Sequence, residues 1–211
     1  MARVQTAIEE RWNVLTHGFG FIATGIGLLW LFIAAHTDKP YVIISIIVYG
    51  FCQLFMYGSS TAYHYTRQSK LKFTLRKCDH IAIYASIAGT YTPMCLLLLK
   101  ESNGWMILVA VWGIALFGLI WKLFFTGKYE SFSSVLYLIM GWLIMLDIHS
   151  VRTLFTDSMV FWLAAGGVFF SIGVIFYAWN KLYFNHVIWH VFVLAGSASH
   201  FIMVAEVVQL K

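Results

Sequence analysis

Two stretches limit what this chain can become more than anything else in it. IISIIVYGFCQLFMY (43–57) and ILVAVWGIALFGLIW (107–121) are apolar around the whole turn of a helix. A surface helix keeps a polar face, and a membrane barrel strand alternates every second residue over about ten residues. Neither pattern is present. Helices that are apolar on every side belong in lipid, where about 20 such residues cross the hydrocarbon core. The rest of the chain agrees, since 61% of its 211 residues are hydrophobic and 11% are charged, whereas soluble domains carry roughly 25% charged residues. An aromatic content of 18% also excludes a disordered chain, which is poor in aromatics.

Apolar runs separated by polar breaks predict an all-α membrane protein, a seven-transmembrane helix bundle in which residues 1–211 form a single domain. The expected spans are 12–35, 41–64, 79–99, 105–125, 132–148, 159–179 and 186–208. Asp147 lies near the end of the fifth. Pro93, after Thr90, Tyr91 and Thr92, is expected to kink the third, because proline removes a backbone donor. The N-terminal MARVQTAIEERWN is polar and has no signal-peptide core, so it is expected to stay on the mature chain.

The positive-inside rule orients the bundle. A cytoplasmic N-terminus assigns Arg3, Arg11, Arg67, Lys70, Lys72, Arg76, Lys77, Lys122, Lys128 and Lys181 to the inner side. Lys39, Lys100, Arg152 and Lys211 then fall outside. The expected arrangement is an N-terminus in the cytoplasm and a C-terminus outside, in a multi-pass protein of the cell membrane. The net charge of +5 is scattered rather than arranged in a stripe, so no nucleic-acid partner is expected. Cys52, Cys78 and Cys95 form no CxxC pair and indicate neither a disulfide framework nor a thiolate zinc site.

Ionisable groups inside a membrane are costly and usually functional. His64 closes the second span, and HVIWH (186–190) opens the seventh on the same side. Positions i and i+4 share a helix face, so His186 and His190 suit one metal ion. With His64 they form a possible His₃ zinc site with an open coordination position, a catalytic rather than structural pattern. Three interfacial histidines bonded to carbonyls or water are the alternative, and both readings stay open on spacing alone. Asp79 falls in the same layer, either as a helix cap or as a group that orients or deprotonates a metal-bound water. His80 points about 100° away from it on a helix, so the two are not expected to face one site. Ser60 shares a face with His64; it either meets a bound water or substrate, or simply lets helices approach closely. Glu10, Asn13 and His17 recur on one face of the first span, as a bracing network or as interfacial anchors. Asp147 and Glu206 lie toward the other side.

ERWNVLTH (10–17), SSTAYH (59–64), CDHIAIYASIAGTYTP (78–93) and HVIWHVFVLAGSASHF (186–201) resemble the motifs of the hemolysin III / progestin and adipoQ receptor (PAQR) family. The short length is similar to its bacterial hemolysin III branch. The resemblance implies an inward N-terminus and a zinc ion near the cytoplasmic face, held by His64, His186 and His190. Asp79 would hold the zinc-bound water, with Ser60 close by, and His200 would match a family histidine that is not a ligand. Alkaline ceramidases in the wider superfamily resemble this layout. That likeness suggests a zinc-dependent hydrolase of a lipid amide or ester, with membrane lipids as partners and a plausible place in membrane lipid homeostasis. Two other classes are a receptor or sensor with structural zinc, and a haemolytic pore. The sequence supports the pore poorly, since few ionisable residues line the spans outside this layer.

Overall fold

The computed structural model describes residues 4–210. All regular elements among the described residues are helical: α1 (Ala7–Ala34), α2 (Val42–Tyr65), α3 (Ser69–Pro93), α4 (Gly104–Phe125), α5 (Glu130–Trp142), α6 (Ile148–Leu154), α7 (Asp157–Ala178) and α8 (Asn185–Gln209). Helices α5 and α6 join through a short 3₁₀ stretch, Leu143–Asp147, into one span. That leaves seven helices long and apolar enough to cross a bilayer. Large apolar side chains such as Phe19, Ile33, Phe51, Val109, Phe124 and Ile175 point outward, as lipid requires and water would not permit.

The chain runs up and down, so α1, α3, α5 and α8 begin at one end, called here the near end, and α2, α4 and α7 finish there. Helix α2 packs along both α1 and α3, and α7 packs along α8. Small residues allow the close approaches: a Cβ on Gly89 of α3 would lie 2.6 Å from the Cys52 Cβ of α2.

Helix α1 begins at Ala7, five residues before the expected span, and two boundaries differ more. Hydropathy opens the third span at Asp79, but α3 begins at Ser69. SKLKFTLRKC is too polar for lipid, yet its Lys, Leu and Arg residues are good helix formers, so the helix continues past the apolar layer. Hydropathy ends the fifth span at 148, but the helix continues through α6 to Leu154. Its break at Leu143–Asp147 is stitched from α3. The Tyr91 hydroxyl donates to the Gly141 carbonyl (3.0 Å) and accepts from the Ile144 amide (3.0 Å). These are backbone groups that lipid could not satisfy. Beyond Pro93 the third span widens into a π turn, Met94–Leu98, closed by the Leu99 amide on the Met94 carbonyl (3.1 Å). A π turn is a known response where the regular ladder is interrupted.

The apolar core lies in the far half of the bundle. Leu31, Ile46, Leu99, Ile107, Met159 and Met203 are fully buried in it. The near half holds a smaller cluster around Met56, Tyr57, Ala82, Trp189 and Val193, beside a cavity.

Candidate metal centre

His64, His186 and His190 converge at the near end. Their candidate ligand atoms lie within 4.8 Å of one another. The Nε2 atoms of His64 and His186 are 3.2 Å apart. Tetrahedral zinc with bonds of about 2.0–2.1 Å holds its nitrogens about 3.3 Å apart, so this pair already stands at ligand separation. His64 and His190 are buried, and His186 is partly buried.

The opposite edge of two rings is held from α1. His64 Nδ1 lies 2.6 Å from Glu10 Oε2. A carboxylate accepts, so Nδ1 is the donor and Nε2 keeps its lone pair. Glu10 is itself held by Lys72, 2.8 Å away on α3, and the Asn13 amide lies 3.4 Å from His64 Nδ1. His190 Nδ1 lies 3.1 Å from Thr16 Oγ1. That hydroxyl spends its single proton on the Trp12 or Asn13 carbonyl (2.8 and 3.0 Å), so it accepts from His190 and frees Nε2 there too. Metal-binding histidines are oriented in this way by the partner of their second nitrogen. His17 stacks on His190 with ring centroids 3.4 Å apart and 11° between planes, and it meets Tyr57 edge-on. The donor set thus fits a zinc ion: three converging imidazoles, two of them with Nε2 freed by the partner of Nδ1.

The start of α8 is fixed by Glu9. Its side chain closes a capping box with Thr6 and accepts the Phe184 amide at 2.8 Å. Phe184 enters α8 with a φ of 58°, a left-handed conformation uncommon outside glycine, so this bond holds a strained entry two residues before His186. Sequence reading missed Glu9 and Thr16. T-x-x-E at 6–9 was a visible capping-box signal; nothing local marked Thr16.

Asp79 and Ser60 line the same cavity as His186 and His190. Asp79 lies ten residues inside α3, so the capping reading falls away. Its carboxylate is buried and makes no hydrogen bond or ion pair to another described residue. Ser60 Oγ is fully buried and also unpartnered among the described residues. His80 lines this cavity as well, so it and Asp79 border one space despite their offset of about 100°. His80 Nδ1 lies 3.3 Å from Glu130, which also receives Lys122 and the Gly127 amide. Asp147 and Glu206 stand apart, on the Asn103 amide (3.1 Å) and on Ser158 (2.6 Å). His200 bonds the Leu163 carbonyl (3.2 Å) and is not part of the trio.

The cavity runs from His186 and His190 toward the middle of the bundle, between α2, α3, α5, α7 and α8. Its walls away from the trio are mostly apolar, with Leu138, Phe170 and Val174 among them. At the α5–α7 face Trp142 Nε1 donates to Ser171 Oγ across the gap (3.2 Å).

Comparisons with known proteins agree with this architecture. The family described as "Haemolysin-III related" matches residues 5–201. The chain is 40% identical over 200 residues to the "Hemolysin-3 homolog" of Bacillus subtilis (strain 168), covering 94% of each. It is 40% identical over 197 residues to "Hemolysin-3" of Bacillus cereus, covering 93% of this chain and 90% of the other. The human "Monocyte to macrophage differentiation factor" is more distant, 29% identical over 206 residues, covering 93% of this chain and 83% of that protein. A multi-pass helical membrane protein with these motifs and this coverage belongs to the haemolysin-III-related family.

Proposed function

We propose that this protein is a zinc-dependent hydrolase of a lipid amide or ester, with the metal on His64, His186 and His190 near the cytoplasmic face of the cell membrane. The observation that carries this reading is that two of the three histidines, His186 and His190, share one cavity with Asp79 and Ser60, which make no hydrogen bond to another described residue. Zinc, when bound, supplies Lewis-acid polarisation of a carbonyl and lowers the pKa of water toward about 7.

The chain's own residues do the rest. Glu10 and Thr16 keep the imidazole faces turned inward. Asp79 takes the proton of the attacking water at its carboxylate and returns it to the leaving nitrogen or oxygen. Ser60 Oγ donates a hydrogen bond to the substrate's polar group. The acyl chain lies in the apolar part of the cavity and enters from the bilayer. A basic near end, with Arg67, Lys70, Lys72, Arg76 and Lys77 around the start of α3, supports a cytoplasmic orientation.

The test is incubation of zinc-loaded protein with lipid amides and esters, beside Asp79→Ala. We expect product from the native chain and a loss of about 10²–10⁴-fold in the variant, with zinc content and thermal unfolding retained. Hydrolysis that survives in Asp79→Ala removes the base from this reading. Lipids recovered intact from the native protein remove the hydrolase altogether. The packed far half gives no support to a pore; dye leaking from liposomes regardless of Asp79 would reopen that function.

A further inference from the structure

The cavity does not end in a purely apolar tip. Gln53 of α2 lines it and is 5% exposed. Its amide nitrogen donates to Thr90 Oγ1 (3.1 Å) and the Ser86 carbonyl (3.4 Å) on α3. A backbone carbonyl only accepts, so these bonds decide which end of the amide is nitrogen. Thr90 spends its own proton on the same Ser86 carbonyl (2.9 Å). Gln53 Oε1 is therefore an oriented acceptor, buried and without a hydrogen-bond partner among the described residues. Burying an acceptor without a partner is unfavourable, and Gln53 Oε1 is such an acceptor on the wall of the cavity.

A second acceptor lies at the same depth. His200 Nε2 must carry the proton it gives to the Leu163 carbonyl, so Nδ1 holds a lone pair, and His200 lines the cavity too. Gln53 lies eleven residues before His64 and His200 ten after His190, or about 15–16 Å along each helix. Ser60 falls between, on the same face of α2 as Gln53 and His64.

We infer that this inner end is a second recognition point, which takes a hydrogen-bond donor carried partway along a lipid chain whose polar head is at the histidines. A hydroxyl fits best, because a charged amine at mid-membrane is costly while a neutral hydroxyl supplies the one proton Gln53 Oε1 lacks. The inference rests on the lipid reading above and narrows its substrate class to chains bearing a mid-chain hydroxyl.

Binding separates the two ideas. Stearate and a mid-chain hydroxystearate are titrated into the zinc-loaded protein in nanodiscs, with Gln53→Leu and Gln53→Met alongside, and zinc content and thermal unfolding measured for each. The native protein should prefer the hydroxylated chain by about tenfold, the scale of one net hydrogen bond. Both variants should erase that preference and keep their zinc. Equal affinity of the native protein for the two chains overturns the inference and indicates only ordered water at Gln53; this arm decides even if the variants fail to fold. A preference that survives in folded Gln53→Leu overturns the role of Gln53. Hydroxyl preference in a protein that hydrolyses no lipid leaves the subsite standing and removes the hydrolase.

Discussion

The two halves of the bundle solve opposite problems with the same seven helices. In the far half, side chains from every span meet in one apolar cluster, and the polar atoms there mainly mend backbone. Tyr91 ties the fifth-span break, and Asp147 caps the start of α4. In the near half, the helices part around a cavity lined with imidazoles, carboxyl groups and hydroxyls. Buried polar groups there are either held in a defined direction, as His64 and His190 are, or without a hydrogen-bond partner among the described residues, as Asp79 and Ser60 are. Dispersion and close packing hold helices together in lipid, where the hydrophobic effect between them is absent.

This contrast makes separable predictions. The largest effect belongs to the near half: His64→Ala should abolish stoichiometric metal, read by elemental analysis, because two imidazoles remain where zinc needs at least three protein ligands. Retained zinc in that variant would break the assignment. Its unfolding temperature without metal should stay close to that of the metal-free native chain.

Next comes Leu99→Ala in the far half. Removing a fully buried side chain should destabilise the protein by about 2–5 kcal/mol and leave zinc affinity unchanged. Unfolding in detergent with parallel metal titration checks both; a fall in metal affinity would mean that the halves are coupled.

Glu10→Gln is smaller and sharper. It keeps the shape but weakens the bond that orients His64, so metal affinity should fall about 10–100-fold with little change in stability. Competition with a chelator of known affinity measures it, and unaltered affinity would reduce Glu10 to an anchor. Tyr91→Phe should have the least consequence, about 1–2 kcal/mol from two backbone groups deprived of one hydroxyl, and none for metal binding. Loss of zinc there would show that the fifth span positions the centre.

Much of the near half is legible in the amino-acid order. The H-x₃-H spacing at 186–190 and His64 at the matching depth follow from helix periodicity and hydropathy, which are local properties. The same periodicity misjudges His80, because an angular offset says nothing about how wide the opposing space is. Asp79 reads as a possible cap only because SKLKFTLRKC is polar. Hydropathy detects the edge of the lipid, whereas the end of a helix is set by backbone hydrogen bonds that continue into water. The fifth-span break is marked locally only by Asp147 at its end, and the tyrosine that satisfies its backbone lies on another helix.

By itself, then, the amino-acid order determined that the chain spans a membrane seven times and carries its histidines to one layer, because these follow from residue type and spacing along single helices. Tertiary structure alone decided which nitrogen of His64 and His190 faces inward and that Glu9 holds the strained entry to α8. It also decided that Asp79, Ser60 and Gln53 open onto one cavity. Those facts depend on the rotation and depth of each helix against its neighbours, which arise from packing between segments far apart in the chain.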